Sequence, residues 1–200
     1  NQHINPNQYV IKIKGEIVAQ SEILVDHFLA LDSGNVTQEI EGIETIEPAF
    51  NIPAKWVSED KKVIADIAGY TLIDPTSVMI THLSEVIKSH AYELLSRQDV
   101  KTMLDKLKET NPSVVEDIVP STVSVAYLQK VLAILLKEGV PIRDVQTILE
   151  TLSDYSSTLK DIDITTEYVR QALKRTITRK FADAGQIRVL TLDTGVENQI

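Results

Sequence analysis

The chain has 200 residues, 43% hydrophobic and 24% charged, with 7 glycines, 7 prolines and no cysteine. This composition belongs to a folded protein and excludes disordered or collagen-like chains, disulfide scaffolds, thiolate nucleophiles and cysteine-bound zinc. The net charge of −9 sits almost wholly in residues 1–94, where acids outnumber bases 14 to 6, so nucleic acid is not expected as a partner.

The first elements read as sheet. Tyr9-Val10-Ile11-Lys12-Ile13-Lys14 alternates, Gly15 breaks it and Glu16-Ile17-Val18-Ala19 resumes, the pattern of a hairpin. His27 to Asp32 is a further strand, closed by Ser33-Gly34-Asn35, and the acidic stretch Val36 to Glu44 is expected to be irregular. Ser58 is placed as the cap of a helix whose apolar face is Val63, Ile64, Ile67 and Ala68, ended by Gly69. Tyr70 to Ile73 is a short strand. Asp74-Pro75 opens a longer helix, proline being accepted in a first turn that needs no N–H from it.

From Ser96 the pattern is helical. Ser96 and Asp99 stand at capping-box spacing before Val100, Met103, Leu104 and Leu107. Asn111-Pro112 interrupts, and Ser113 with Glu116 repeats the signal until Pro120. A helix over Val125 to Lys137 stops at Gly139, another starts near Asp144, and a last one runs from Thr165 to Phe181. Such short connections imply a compact bundle. Gln186 to Asp193 returns to strand periodicity. Neither that lone strand nor one hairpin can bury its own face, so the chain is expected to be part of something larger.

Chemistry-bearing motifs are missing. There is no glycine-rich phosphate loop, no HExxH and no calcium loop. No apolar run approaches the roughly 18 residues of a membrane span, and the start carries no basic or hydrophobic leader. His82 and His90 lie two turns apart on one helix, too far to chelate one metal as an i, i+4 pair, so they read as ordinary helix histidines, with a metal or proton-relay role the alternative. His82 with Glu85 could be offered as a base and its orienting carboxylate, but no nucleophile stands beside them. Asp161 and Asp163 read as helix-terminus acids, with a two-carboxylate metal motif as the alternative. Phe50, in the stretch Glu47-Pro48-Ala49-Phe50, lies between Pro48 and Pro53 without a clean period. An aromatic there either folds into a small core or stands out to be bound.

One run carries a resemblance. Gly139-Val140-Pro141-Ile142-Arg143-Asp144-Val145-Gln146-Thr147-Ile148-Leu149-Glu150-Thr151-Leu152 is similar to a signature of the FlhA/InvA/LcrD export-gate family of flagellar and type III secretion systems. Three further pieces agree in the same order: Asp74-Pro75 leading to Thr81-His82-Leu83, then Glu93-Leu94-Leu95-Ser96-Arg97-Gln98, then Glu167 to Leu173. Thr81-His82-Leu83 and the Glu47–Phe50 stretch resemble the flagellar branch more than the injectisome branch.

The resemblance implies an α+β, multi-subdomain fold: small α/β N-terminal subdomains, an all-helical bundle, and the start of a further α/β subdomain. By it, residues 1–25 and 74–94 form part of a first subdomain, 26–73 an inserted second, 95–174 a helical third, and 175–200 the opening of a fourth. It implies no enzyme and no cofactor. It implies instead the cytoplasmic part of an inner-membrane protein that assembles as a ring, contacts other export components and receives flagellar export chaperones with bound substrates. Carried over by position, the acid and phenylalanine of that docking site fall on Glu47 and Phe50, and a threonine on Thr81. Apolar neighbours fall on Leu29, Leu31, Ile73 and Val78, with Pro48 shaping the loop; some relatives have aspartate where Glu47 stands. With the resemblance, Phe50 is expected to be a docking residue. The competing expectation is a mainly structural, ring-forming module.

Overall fold

The computed structural model describes residues 5–156 and 160–182, so the strand expected over 186–193 lies outside the described residues. The chain divides into two compact units, Asn1–His90 and Ala91–Ile200.

The first unit begins with a hairpin of β1 (Gln8–Ile13) and β2 (Glu16–Glu22). Lys14 and Gly15 close it with φ of 52° and 91°. Two successive positive-φ residues give the turn whose twist matches that of paired strands. The remaining strands are β3 (His27–Leu31), β4 (Ile43–Glu47), β5 (Ile52–Ser58) and β6 (Thr71–Ile73). They form one antiparallel sheet in the order β4-β5-β3-β6.

Alternation along these strands assigns each side chain to a face. Leu29 stands opposite Trp56 and Ile73, and Thr45 opposite Ala54, so these residues share one face with Ile43 and Glu47. On that face Leu29, Ala54 and Trp56 pack against Val78 of the helix Pro75–Ser89. The other face carries Ala30 and Val57, which pack on Ala65 and Ala68 of the short helix α1 (Lys62–Ile67), with Ile40 and Tyr70 closing the cluster. The longer helix is α2. Asp74 caps it, its carboxylate accepting from the Ser77 N–H at 3.0 Å, with Pro75 in the first turn.

Three sequence expectations change here. The acidic stretch is not irregular to its end: Ile43–Glu47 is strand, and Pro53 lies inside β5. Pro53 is tolerated because β3 pairs with β5 only from Lys55 onward, leaving the start of β5 with a neighbour on one side. In α1 the faces are also reversed. Val63, Ile64 and Ile67 are exposed while Ala65 is buried with Ala68, because only a methyl side chain fits where the helix lies close on the sheet. Ser58 makes no cap hydrogen bond, and a 3-10 turn over Glu59–Lys61 precedes the helix.

The second unit is helical, with α3 (Ala91–Leu94), α4 (Arg97–Thr110), α5 (Pro112–Ile118), α6 (Val125–Lys137), α7 (Val145–Asp154), α8 (Ile162–Ala172) and α9 (Lys174–Phe181). The expected capping box is present: the Ser96 hydroxyl accepts from the Asp99 N–H while the Asp99 carboxylate accepts from the Ser96 N–H. Leu128, Val131, Leu132 and Leu135 of α6 face Ile148, Leu149 and Leu152 of α7 and Val169 of α8 in one aliphatic core. Arg170 joins α8 to the end of α6, its Nε and Nη2 donating to both oxygens of Glu138 at 2.7 and 2.6 Å.

Three terminus readings are settled. Ser113 does not cap α5; Asn111 precedes it, Pro112 takes the first turn, and no side-chain cap forms. Asp161 accepts from the N–H groups of Asp163 and Ile164, both at 3.1 Å, which fits the helix-terminus reading of these acids. The last expected helix is two, α8 starting at Ile162 and α9 following after Leu173, which is buried in the core. No helix among the described residues is long and apolar enough to cross a membrane.

Candidate functional site

The turn between β4 and β5 is organised around one carboxylate. Glu47 is 3% exposed, and its oxygens accept from the Ala49 N–H at 3.1 Å and the Phe50 N–H at 2.7 Å. The Asn51 N–H closes the loop on the Glu47 carbonyl at 2.9 Å, with Asn51 at φ 57°, a conformation asparagine tolerates. Pro48 restricts the backbone entering the turn. Pinned from inside in this way, the loop holds Phe50 outward: its side chain is 59% exposed, flanked on the strands by exposed Ile46 and Ile52. A large aromatic displayed on a backbone that cannot collapse has the form of an interface anchor.

Behind the turn lies a polar pair. The Tyr9 hydroxyl of β1 is 2.7 Å from His82 Nδ1 of α2, and the rings meet edge to face with centroids 5.7 Å apart. Burial pushes the His82 pKa below its ordinary value, against the upward pull of the Glu47 charge. Burial raises the Tyr9 phenol, and Glu47 adds to that. Glu47 is therefore within electrostatic reach of both side chains. Glu85 does not orient His82; it pairs with Lys88 at 2.5 Å.

A depressed folded-state pKa means that, below about 6.5, the unfolded chain holds more protons at His82 than the folded one. The stability contributed is present above that pH and is lost as pH falls. Urea unfolding followed by Trp56 fluorescence, the only tryptophan of the chain, should show wild type losing more stability between pH 7.5 and 5.5 than His82→Phe. Equal losses would show that His82 does not titrate with folding.

The eight positions expected from the sequence take distinct places. Leu29 and Val78, 0% and 1% exposed, are core and can only support a surface from beneath. Leu31 and Ile73, half-buried, pack on that same cluster, and Thr81 lies half-buried on α2 beside His82. Glu47, Pro48 and Phe50 come together in the turn. Sequence reasoning missed the pairing of Tyr9 with His82; its only available signal was the alternation of Tyr9 in β1, since that pairing spans 73 residues.

These features define a class by fold: a unit built on a small β-sheet followed by a helical unit, the fold of cytosolic domains in type III secretion. Chlamydia pneumoniae CdsV matches all of this chain with a TM-score of 0.82, at 30% identity over 59% of that chain, and in its complex with CdsO with a TM-score of 0.80, at 29% identity over 61% of that chain. The nonameric EscV cytosolic domain from the type III secretion system shares the fold at TM-score 0.64 and 24% identity, over 89% of this chain and 53% of its own. The chain belongs to the FHIPEP family, matched over residues 1–200. It is 50% identical over 198 residues to the flagellar biosynthesis protein FlhA of Bacillus subtilis (strain 168), covering 98% of this chain and 29% of that protein. The chain thus spans under a third of the curated relatives it matches.

Proposed function

We propose that this chain is a docking and handover module of a flagellar type III protein export gate, and that the Glu47–Asn51 turn receives export chaperones carrying their substrates. The observation that carries this reading is Phe50, exposed on a turn whose amides are held by a buried carboxylate. Supporting it are half-buried Leu31, Ile73 and Thr81 over the Leu29–Val78 core, an arrangement of apolar patch, anchor and polar rim. In this proposal the site lies within a first subdomain of residues 1–25 and 74–94 and an inserted second of 26–73. Residues 95–174 form a helical third, and 175–200 begin a fourth. The parent protein is held at the bacterial inner membrane with this part on the cytoplasmic side. Its work is recognition and release, without a catalytic step.

Calorimetric titration with a flagellar chaperone–substrate complex tests the proposal. Wild type is expected to bind in the micromolar range and Phe50→Ala to lose at least tenfold in affinity, while its unfolding midpoint stays put because the side chain is mostly exposed. Unchanged binding by Phe50→Ala would remove the turn from the site.

A second reading has a specific observation behind it. The nonameric state of the EscV cytosolic domain, which shares this fold, supports ring formation as a further role, contacting other export components. Sedimentation at rising concentration separates the readings: a chain that self-associates but binds no chaperone complex would favour the structural one.

A further inference from the structure

The face of the sheet opposite Glu47 carries a groove of about 790 Å³ that the docking turn does not use. Its floor is apolar, made by Ala30, Pro53 and Ile46. Its far wall is the loop after β3, and that wall is fixed. The Thr37 N–H donates to the Ala68 carbonyl at 2.9 Å, Gly34 N–H to Asp32 at 2.7 Å, and Gly69 lies so close that a Cβ there would meet the Asn35 carbonyl oxygen at 2.7 Å. The groove is therefore preformed.

Its near side is the edge strand β4. Among the described residues β4 pairs with β5 alone, so alternate backbone amides and carbonyls point away from the sheet. Such an edge accepts an extended chain by main-chain hydrogen bonding, and Ile46, half exposed and on this face, offers an apolar contact beside it. The rim is acidic. Asp32, Glu39 and Glu44 line it against one cation, Lys55, whose ammonium is already held by Glu39 at 2.7 Å. Two carboxylates, Asp32 and Glu44, thus remain to set the sign of the groove's field, and they set it negative.

We propose that this groove is a second docking surface, taking a basic, extended polypeptide segment that adds along β4 with lysine or arginine side chains toward Asp32 and Glu44. It lies on the face of the sheet opposite Glu47, is lined by neither Glu47 nor Phe50, and does not depend on the turn's role.

The test uses the 200-residue chain, isotope-labelled for NMR, and a blocked hexapeptide alternating lysine and valine. The same peptide with glutamate in place of lysine is the control. The expected result is saturable amide shifts in residues 44–46 and 53–55 with the basic peptide only. Those shifts should weaken at least tenfold in the double variant Asp32→Lys, Glu44→Lys and persist in Phe50→Ala. Both variants change exposed side chains, and an undisturbed spectrum elsewhere shows they are folded. Absence of binding, equal binding of the acidic peptide, or shifts confined to residues 47–51 and lost in Phe50→Ala would each overturn the proposal.

Discussion

Gly69→Ala is expected to destabilise the first unit by about 3 kcal/mol or more, among the largest single-site effects open to this sheet. Gly69 has φ +95°, a region that L side chains rarely adopt, and occupying it costs about 1–3 kcal/mol in strain. The added methyl would also lie 2.7 Å from the Asn35 carbonyl oxygen and 3.6 Å from the Val36 Cα. Both are backbone atoms, so relief requires moving the whole loop, and that movement breaks the hydrogen bond from Thr37 to Ala68. Gly34→Ala is the internal control: it has the same sign of φ, but nothing lies within 4 Å, so it should cost only the strain. Urea unfolding followed by Trp56 fluorescence measures both, because Trp56 is buried in this unit's sheet. A Gly69→Ala protein no weaker than Gly34→Ala would mean that the loop does not rest on Gly69.

The second large effect concerns Glu47. Replacement by alanine leaves the Ala49 and Phe50 amides without their acceptor and opens space at a buried position. Hydrogen bonds to an ionised acceptor are worth more than neutral ones, so a loss of about 2–3 kcal/mol is expected for the pair. Glu47→Gln, which keeps the shape and one acceptor oxygen but adds an amide the two N–H groups cannot use, should fall between. The consequence for docking exceeds the loss of a contact. With the turn unpinned, Phe50 becomes one of many conformers, and binding must then supply the ordering cost. Glu47→Ala and Phe50→Ala should therefore weaken partner binding alike, while only Glu47→Ala weakens the fold. A Glu47→Ala chain as stable as wild type would show that the carboxylate does not hold the turn.

Much of this architecture was legible in the sequence, for identifiable reasons. Gly15 marked the first hairpin, because it breaks the alternation and takes a positive-φ position of the turn, and Asp74-Pro75 marked the start of α2 through its cap and first turn. The bounds read for α6 and the start read for α7 near Asp144 match the helices found. What escaped was β4 with β5. Trp56 and Val57 are buried on opposite faces, so β5 has no clean alternation, and Pro53 suggested a loop. In α1 the amphipathic pattern pointed the wrong way, because proximity to the sheet selects Ala65 and Ala68 and leaves the larger Val63, Ile64 and Ile67 exposed.

Phe50 could not be assigned from its own neighbourhood, since a loop aromatic is equally at home in a small core. The resemblance favoured docking, and the structure gives its exposure. Tyr9 and His82 were unreadable as a pair because no local pattern links residues 73 apart.

The claim that the turn itself meets the partner is tested most directly by site-specific cross-linking. A photoreactive phenylalanine analogue is placed at position 50 and, in a separate chain, at the equally exposed position of Ile64 on α1. Each is irradiated with a flagellar chaperone–substrate complex. The account predicts an adduct to the complex from position 50, competed by unlabelled wild-type chain, and none from position 64. Adducts from position 64 with none from position 50 would contradict it.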